Sequence, residues 1–277
     1  MDIYKIIGSG VGNVIDHLIE NEPHYITYRR GNSWTFCHNA FKEYSKISYK
    51  ELTDRDFDFL ALNLAFYLAS WGMYRGSSFL LNMDYKIHIP AVKKMMADCY
   101  KRLFEIENPF ADYKTEDEYY NLLFGHDGIY LWLNNYYYQV HRHFIKEPNK
   151  DNASVESDTL LTKILLGVFG CVPAYDRFFK YGISLFGGQQ WLSTNGNAIF
   201  RSSSSLKYLL GLPQLKDEFD AYYKDKKQDY TYMKLVDMYF FSLGDMASEA
   251  FPEKDPGRKN AVKLLKENIK SQYQIQD

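Results

Sequence analysis

The sequence predicts an all-α protein, two helical lobes around a cleft, with room for one or two short β-hairpins. Three observations lead there: apolar residues recur at i, i+3, i+4 and i+7 in segment after segment, alternating strand patterns are scarce, and the breaks between segments carry glycine, proline or a capping residue. At 277 residues, 46% of them hydrophobic, the chain is long enough to bury a sizeable core as a single compact helical unit. The polar stretch 146–157, KEPNKDNASVES, is the best linker and the expected lobe boundary.

Taken in order, residues 3–20 read as a short apolar run, then Gly8, Gly10 and Gly12, then an amphipathic helix carrying Val14, Ile15 and Leu18. The glycines faintly outline a nucleotide loop. The dinucleotide fingerprint needs a glycine where Asn13 stands, and no βαβ pattern follows, so a flexible helix entry is the better reading and no cofactor is implied. Tyr25 to Tyr28 and Trp34 to Cys37 flank Arg29-Arg30-Gly31-Asn32 as a small hairpin with a basic tip. Thr53 and Asp56 have the spacing of a capping box, and the helix after them is apolar on nearly every face through Trp71, as a central buried helix would be. Gly72 ends it. The junction that follows holds Tyr74, Arg75, Gly76, Ser77 and Ser78, where Arg75 either ties down helix ends or contacts a phosphate or substrate.

After Pro90, Val92, Met95, Met96, Cys99, Tyr100 and Leu103 form the inner face of a helix whose outer face carries Lys93, Lys94, Lys101 and Arg102, a candidate for nucleic-acid backbone contacts. A helical piece at Tyr119 to Leu123 breaks at Gly125-His126-Asp127-Gly128, and the stripe resumes through Trp132, Tyr136, Val140 and Phe144. His141 and His143 diverge on a helix, so no metal pair is expected. Beyond residue 187 a polar loop with an Asn195-Gly196 turn offers Gln189, Gln190, Ser193, Asn195 and Asn197 as groups able to read a hydrogen-bonding edge. Leu206 to Tyr222 is expected as one helix ending in a charged turn. Tyr232, Leu235, Val236, Tyr239, Phe240 and Leu243 make a strong helical stripe with Lys234 and Asp237 off it, and Arg258 to Gln272 closes the chain as a helix.

Composition narrows the function. A net charge of −2 gives no global positive field, so a polyanion would need a local patch. Aromatic residues reach 17%, with 25 Tyr and 19 Phe, which makes stacking grooves plausible. Cys37, Cys99 and Cys171 lack metal spacing and sit in apolar surroundings, pointing to a reducing cytoplasm. Neither a leader nor a membrane span is visible, so a membrane partner is not expected.

The segment from Asp158 to Gly182, DTLLTKILLGVFGCVPAYDRFFKYG, is where chemistry concentrates. Leu161, Ile164, Leu165 and Val168 form a core helix with Asp158 as its expected N-cap, and Gly170 closes it. Pro173 is expected at the first turn of the next helix, which places Tyr175, Asp176 and Arg177 at a helix start, where backbone N–H groups favour an anion.

This order of helix, Phe169-Gly170, apolar turn with Pro173, aromatic residue and Asp176 resembles the catalytic segment of the helix-hairpin-helix DNA glycosylase superfamily. The resemblance covers about twenty-five residues. It implies an all-α pair of lobes, a DNA partner, and Asp176 as the catalytic carboxylate that activates water or stabilises the sugar cation as the base departs, chemistry a fixed carboxylate suits. The family's glycine hairpin is not visible in 150–162. Lys163, thirteen residues before Asp176, does not match the family's lyase lysine, and cluster-binding cysteines are absent. A monofunctional hydrolase of the N-glycosidic bond is therefore implied, acting in repair or on modified bases such as those of invading phage DNA. A flipped base needs stacking faces, for which Trp71, Tyr74, Tyr175 and Trp191 are candidates, with Arg75, Ser77, Gln189 and Gln190 as further substrate contacts and Lys163, Arg177 and Lys180 for the DNA backbone. Two alternatives stay open: a non-catalytic nucleic-acid or protein-interaction module on the same scaffold, and a small-molecule hydrolase using Asp176 with Lys234 or Asp237.

Overall fold

The computed structural model describes residues 3–21, 31–76, 78–144, 158–187 and 205–275. Among these residues the protein is all-α, with thirteen α-helices, short 3-10 turns and no strand. Among the described residues no helix is long and apolar enough to cross a membrane. The chain divides into two compact units, one made of Met1–His24 with Pro173–Asp277 and the other of Tyr25–Val172. The expected boundary stretch at 146–157, the basic tip at 29–30 and the polar loop after 187 lie outside the described residues.

The continuous unit is built on α3 (Gly31–Tyr44), α4 (Asp54–Ser70), α5 (Ile89–Met95), α6 (Tyr113–Phe124), α7 (Ile129–Phe144) and α8 (Asp158–Val168), numbered along the chain after α1 (Ile3–Gly8) and α2 (Val11–Asn21). Trp34 to Cys37 are helical, not a hairpin strand: Trp34, Cys37, His38 and Phe41 follow the i, i+3, i+4, i+7 rule and are all buried. The Thr53/Asp56 capping box forms as expected, with each partner's side chain bound to the other's backbone N–H, a device that contributes about 1 kcal/mol. α4 is not buried all round. Its inner side packs on α3, α5 and α8, while Phe59, Leu62 and Phe66 are exposed.

The predicted helix after Pro90 ends at Met95 and gives way to a 3-10 segment at Asp98–Phe104, which turns Cys99 out to solvent instead of into the core. At the other end of this unit α8 is buried from Leu160 through Val168. Asp158 is its first residue, and its carboxylate accepts the Tyr130 hydroxyl at 2.7 Å. Two indole and imidazole groups of α3 bind the backbone of α8: Trp34 Nε1–H donates to Leu166 O at 2.8 Å and His38 Nδ1–H to Val168 O at 3.0 Å.

The second unit joins α1 and α2 to α9 (Arg177–Leu185), α10 (Ser205–Leu210), α11 (Pro213–Lys226), α12 (Tyr232–Ala250) and α13 (Arg258–Tyr273). The single helix expected over 206–222 is two helices. Pro213 cannot donate the hydrogen bond that would continue α10 and instead opens α11 at its first turn. α12 is the axis of the unit, buried on almost every side because α2, α9 and α11 surround it. An aromatic core of Phe186, Phe219, Tyr239, Phe240 and Tyr273 fills the space around it with edge-to-face contacts and one tilted pair, Phe186 with Tyr273.

The glycine-rich start of α2 is an anion site filled by the protein itself. Glu218 of α11 accepts the Val11 N–H at 2.9 Å and the Tyr273 hydroxyl at 3.2 Å. A phosphate loop would place its ligand at such a helix N-terminus; here a carboxylate from the same unit takes that place.

α9 and α12 approach to backbone contact. A Cβ on Gly182 would lie 1.9 Å from the Phe240 carbonyl oxygen, and one on Gly244 would lie 1.9 Å from that of Phe178. Neither position can hold a side chain unless the helices separate. Gly182→Ala is expected to destabilise the protein by about 2–3 kcal/mol in urea unfolding, whereas Gly8→Ala, where a Cβ meets nothing within 4 Å, should leave the midpoint nearly unchanged.

Candidate functional site around Asp176

The segment leading to Asp176 is fixed step by step along the chain. Gly170, at φ +64°, ends α8 by donating to the carbonyls of Leu165 and Leu166, a left-handed closure that favours glycine. The Tyr119 hydroxyl then holds the Cys171 carbonyl at 3.0 Å. The chain enters the second unit at Pro173, and the Ala174 N–H donates to Asp237 Oδ1 at 2.9 Å. Asp237 Oδ2 binds Lys234 Nζ at 2.8 Å, and both side chains are buried. Lys234 and Asp237 are thus a structural pair on α12 that anchors this turn.

Pro173 does not start α9. The turn stays extended through Asp176, which is the N-cap: its Oδ1 accepts from the Phe178 and Phe179 N–H groups at 3.1 and 3.0 Å, and its own carbonyl takes the Lys180 N–H. The helix begins where a side chain can satisfy its open donors, four residues after the proline. Asp176 is half-buried and Arg177 is exposed, with its guanidinium 4.5 Å from the centre of the Phe178 ring. Tyr175 is buried with its ring edge-to-face on Phe179, and Lys180 is half-buried.

A second carboxylate shares this environment. Asp245, one residue past the Gly244 contact with Phe178, is held above the usual carboxylate range by desolvation, then by Glu249, with Arg177 opposing and Asp176 adding to the rise. Sequence reasoning passed over Asp245. It lies off the helical stripe of α12, and its place beside Gly244 gains meaning only once α9 is known to cross α12 there.

Of the other candidates, Trp71, Tyr74, Arg75 and Lys163 belong to the continuous unit. Trp71, the C-cap of α4, is half-buried, and the ammonium of Lys163 lies 5.2 Å from its ring centre. Lys163 is itself buried, so it is not presented as a surface contact for a DNA backbone. Arg75 is exposed and folds its guanidinium back over Gly72. Ser77, Gln189, Gln190 and Trp191 lie outside the described residues.

Tyr74 ends a buried relay. Its hydroxyl is 2.7 Å from His88 Nε2, and His88 Nδ1 is 2.6 Å from the hydroxyl of Tyr137, which is fully buried. Among the described residues Tyr137 bonds to His88 alone. A buried hydroxyl with one partner is best satisfied as the donor, which assigns the Tyr137 O–H to Nδ1 and the Nε2–H to Tyr74. Burial pushes His88 down to about 3 and Tyr74 up to about 12. His38 falls to about 4, burial outweighing its bond to Val168. Among the described residues no group of acidic, histidine or cysteine side chains is arranged to hold a metal, and His141 instead stacks on Phe79.

No protein-family model, curated protein or solved structure matches this chain.

Two measurements test this geometry. Asp237→Ala removes the carboxylate that binds both the Lys234 ammonium and the Ala174 N–H, and a loss of about 3–5 kcal/mol in unfolding free energy is expected. In the unfolded chain the histidines bind a proton near pH 6.5, and in the folded protein only near 4 and 3, so acidification favours unfolding from about pH 6.5 downward. By pH 5 each contributes a loss of about 2 kcal/mol, ahead of the range in which carboxylates protonate. His38→Gln should flatten that slope by about half, read from urea midpoints between pH 7 and 5.

Proposed function

We propose that the protein hydrolyses the N-glycosidic bond of a damaged or modified base in DNA, with Asp176 as the carboxylate that stabilises the developing sugar cation or orients the attacking water. The observation that carries this reading is the setting of Asp176: a half-buried carboxylate whose Oδ1 is fixed by two backbone N–H groups, following a helix, a glycine closure and an apolar turn. Such a group needs no reorganisation as positive charge develops, which is the condition for effective electrostatic stabilisation. The sequence resemblance to the helix-hairpin-helix glycosylases supplies the substrate class, and the exposed Arg177 beside Asp176 supplies a local cation for a phosphate.

A non-catalytic module on the same scaffold is the second reading. What favours it is that capping α9 already accounts for the position of Asp176, together with the burial of Lys163 and a near-neutral net charge.

Asparagine caps a helix about as well as aspartate, so Asp176→Asn separates the two readings without loss of fold, whereas Asp176→Ala should cost about 1 kcal/mol of stability. With normal, damaged and modified DNA as substrates, the native protein is expected to leave alkali-labile abasic sites, and Asp176→Asn to form them about 100-fold more slowly or worse. If the native protein yields no abasic site on any of them, the catalytic reading fails. Salt-sensitive DNA binding unchanged by Asp176→Asn is then the mark of the module.

A further inference from the structure

The outward face of α4 is apolar and regularly spaced. Phe59, Leu62 and Phe66 are 41%, 53% and 61% exposed, and Ala69 completes the row on the solvent side. These positions advance by three, four and three residues, the a/d spacing of a helix that packs along a second helix. The same steps read identically from either end. A row with that property is complementary to itself in the antiparallel sense: a two-fold axis at residue 64 sets Phe59 of one copy against Ala69 of the other, and Leu62 against Phe66. Each layer then joins a larger side chain to a smaller one, as dense packing requires.

The neighbouring helix extends the surface. α3 and α4 pack as an antiparallel hairpin, with the Tyr44 and Phe59 rings 5.8 Å apart. Eight residues back from Tyr44 and seven on from Phe59 are both about two helical turns, so Phe36, 60% exposed, lies about level with Phe66 along the hairpin. At about 200 Å² for a whole side chain of this size, the four exposed residues present roughly 400 Å² of apolar surface. That is within the range of the largest patches on monomers, which are often functional, and two such faces together present roughly 800 Å², enough for the apolar centre of the about 1,200–2,000 Å² that a stable interface buries.

We propose that this face is a homodimer interface, in which the α3–α4 hairpins of two copies of the chain pair antiparallel across a two-fold axis near residue 64, forming a four-helix layer. The interface stands whether or not Asp176 is catalytic, because every residue in it belongs to the continuous unit.

Light scattering across low to high micromolar concentration is expected to give the mass of a dimer for the native chain and of a monomer for Leu62→Glu. Leu62 is exposed, so the substitution should leave the helical circular dichroism and thermal midpoint unchanged. Orientation is read by disulfide formation in a Cys99→Ser background, which removes the exposed native thiol. A mixture of Phe59→Cys and Ala69→Cys chains should cross-link to each other, while Phe59→Cys alone should not, its two copies being about 15 Å apart along the helix. A native chain that stays monomeric over that range overturns the proposal, whatever else then binds the face. So does a dimer that survives Leu62→Glu or that links Phe59→Cys to itself.

Discussion

The fold of the discontinuous unit depends on the contact between α9 and α12, where backbone meets backbone with no side chain between. Gly182 and Gly244 each admit a carbonyl of the other helix at a distance where even a methyl group would collide. This approach fixes the crossing of the two helices, and the rest of the geometry follows. α12 brings Asp237 within reach of the Ala174 N–H, which holds the turn extended until Asp176 can cap α9. The Asp176 carboxylate is therefore positioned by the core. Its exposure and its neighbours, Arg177 and Asp245, are consequences of which faces the glycines bring together.

Phenols are about half of the buried polar side chains among the described residues, and that changes the meaning of the aromatic surplus. The composition suggested stacking grooves, yet several tyrosines pack their rings in or against a core and place their hydroxyls on a defined acceptor. Tyr119 holds the carbonyl of Cys171, Tyr100 that of Asp127, Tyr136 that of Ile87, Tyr130 the carboxylate of Asp158 and Tyr222 that of Asp16. A phenol combines the buried area of phenylalanine with one directional bond, so it can tie together helices that lack a regular backbone partner.

What was legible in the sequence follows from the range of the interactions involved. The stripes of α7, α8 and α12, the capping box of α4 and the closure at Gly170 are set by neighbours within one or two turns, and each reads directly from spacing. The stripe of α3 was legible too, but Trp34, Cys37, His38 and Phe41 are aromatic or polar enough to pass for strand residues, and only the bonds of Trp34 and His38 to α8 explain that composition. Pro173 was misread because proline at a first turn is common, while the alternative depends on the bond from Ala174 to Asp237, sixty-three residues further on. The position of Asp176 at a helix start was legible. Asp245 was not, since it reaches Asp176 only through a helix crossing that no local pattern encodes.

The hydrogen bond from Val11 to Glu218 spans 207 residues and closes α2 with a carboxylate from α11. During synthesis α1 and α2 leave the ribosome long before that carboxylate or the α12 surface exists. The continuous unit, by contrast, has all of its helices once residue 172 has emerged. The order of folding is then set by topology: the discontinuous unit forms only once its later helices have been made, and until then α1 and α2 wait without their core.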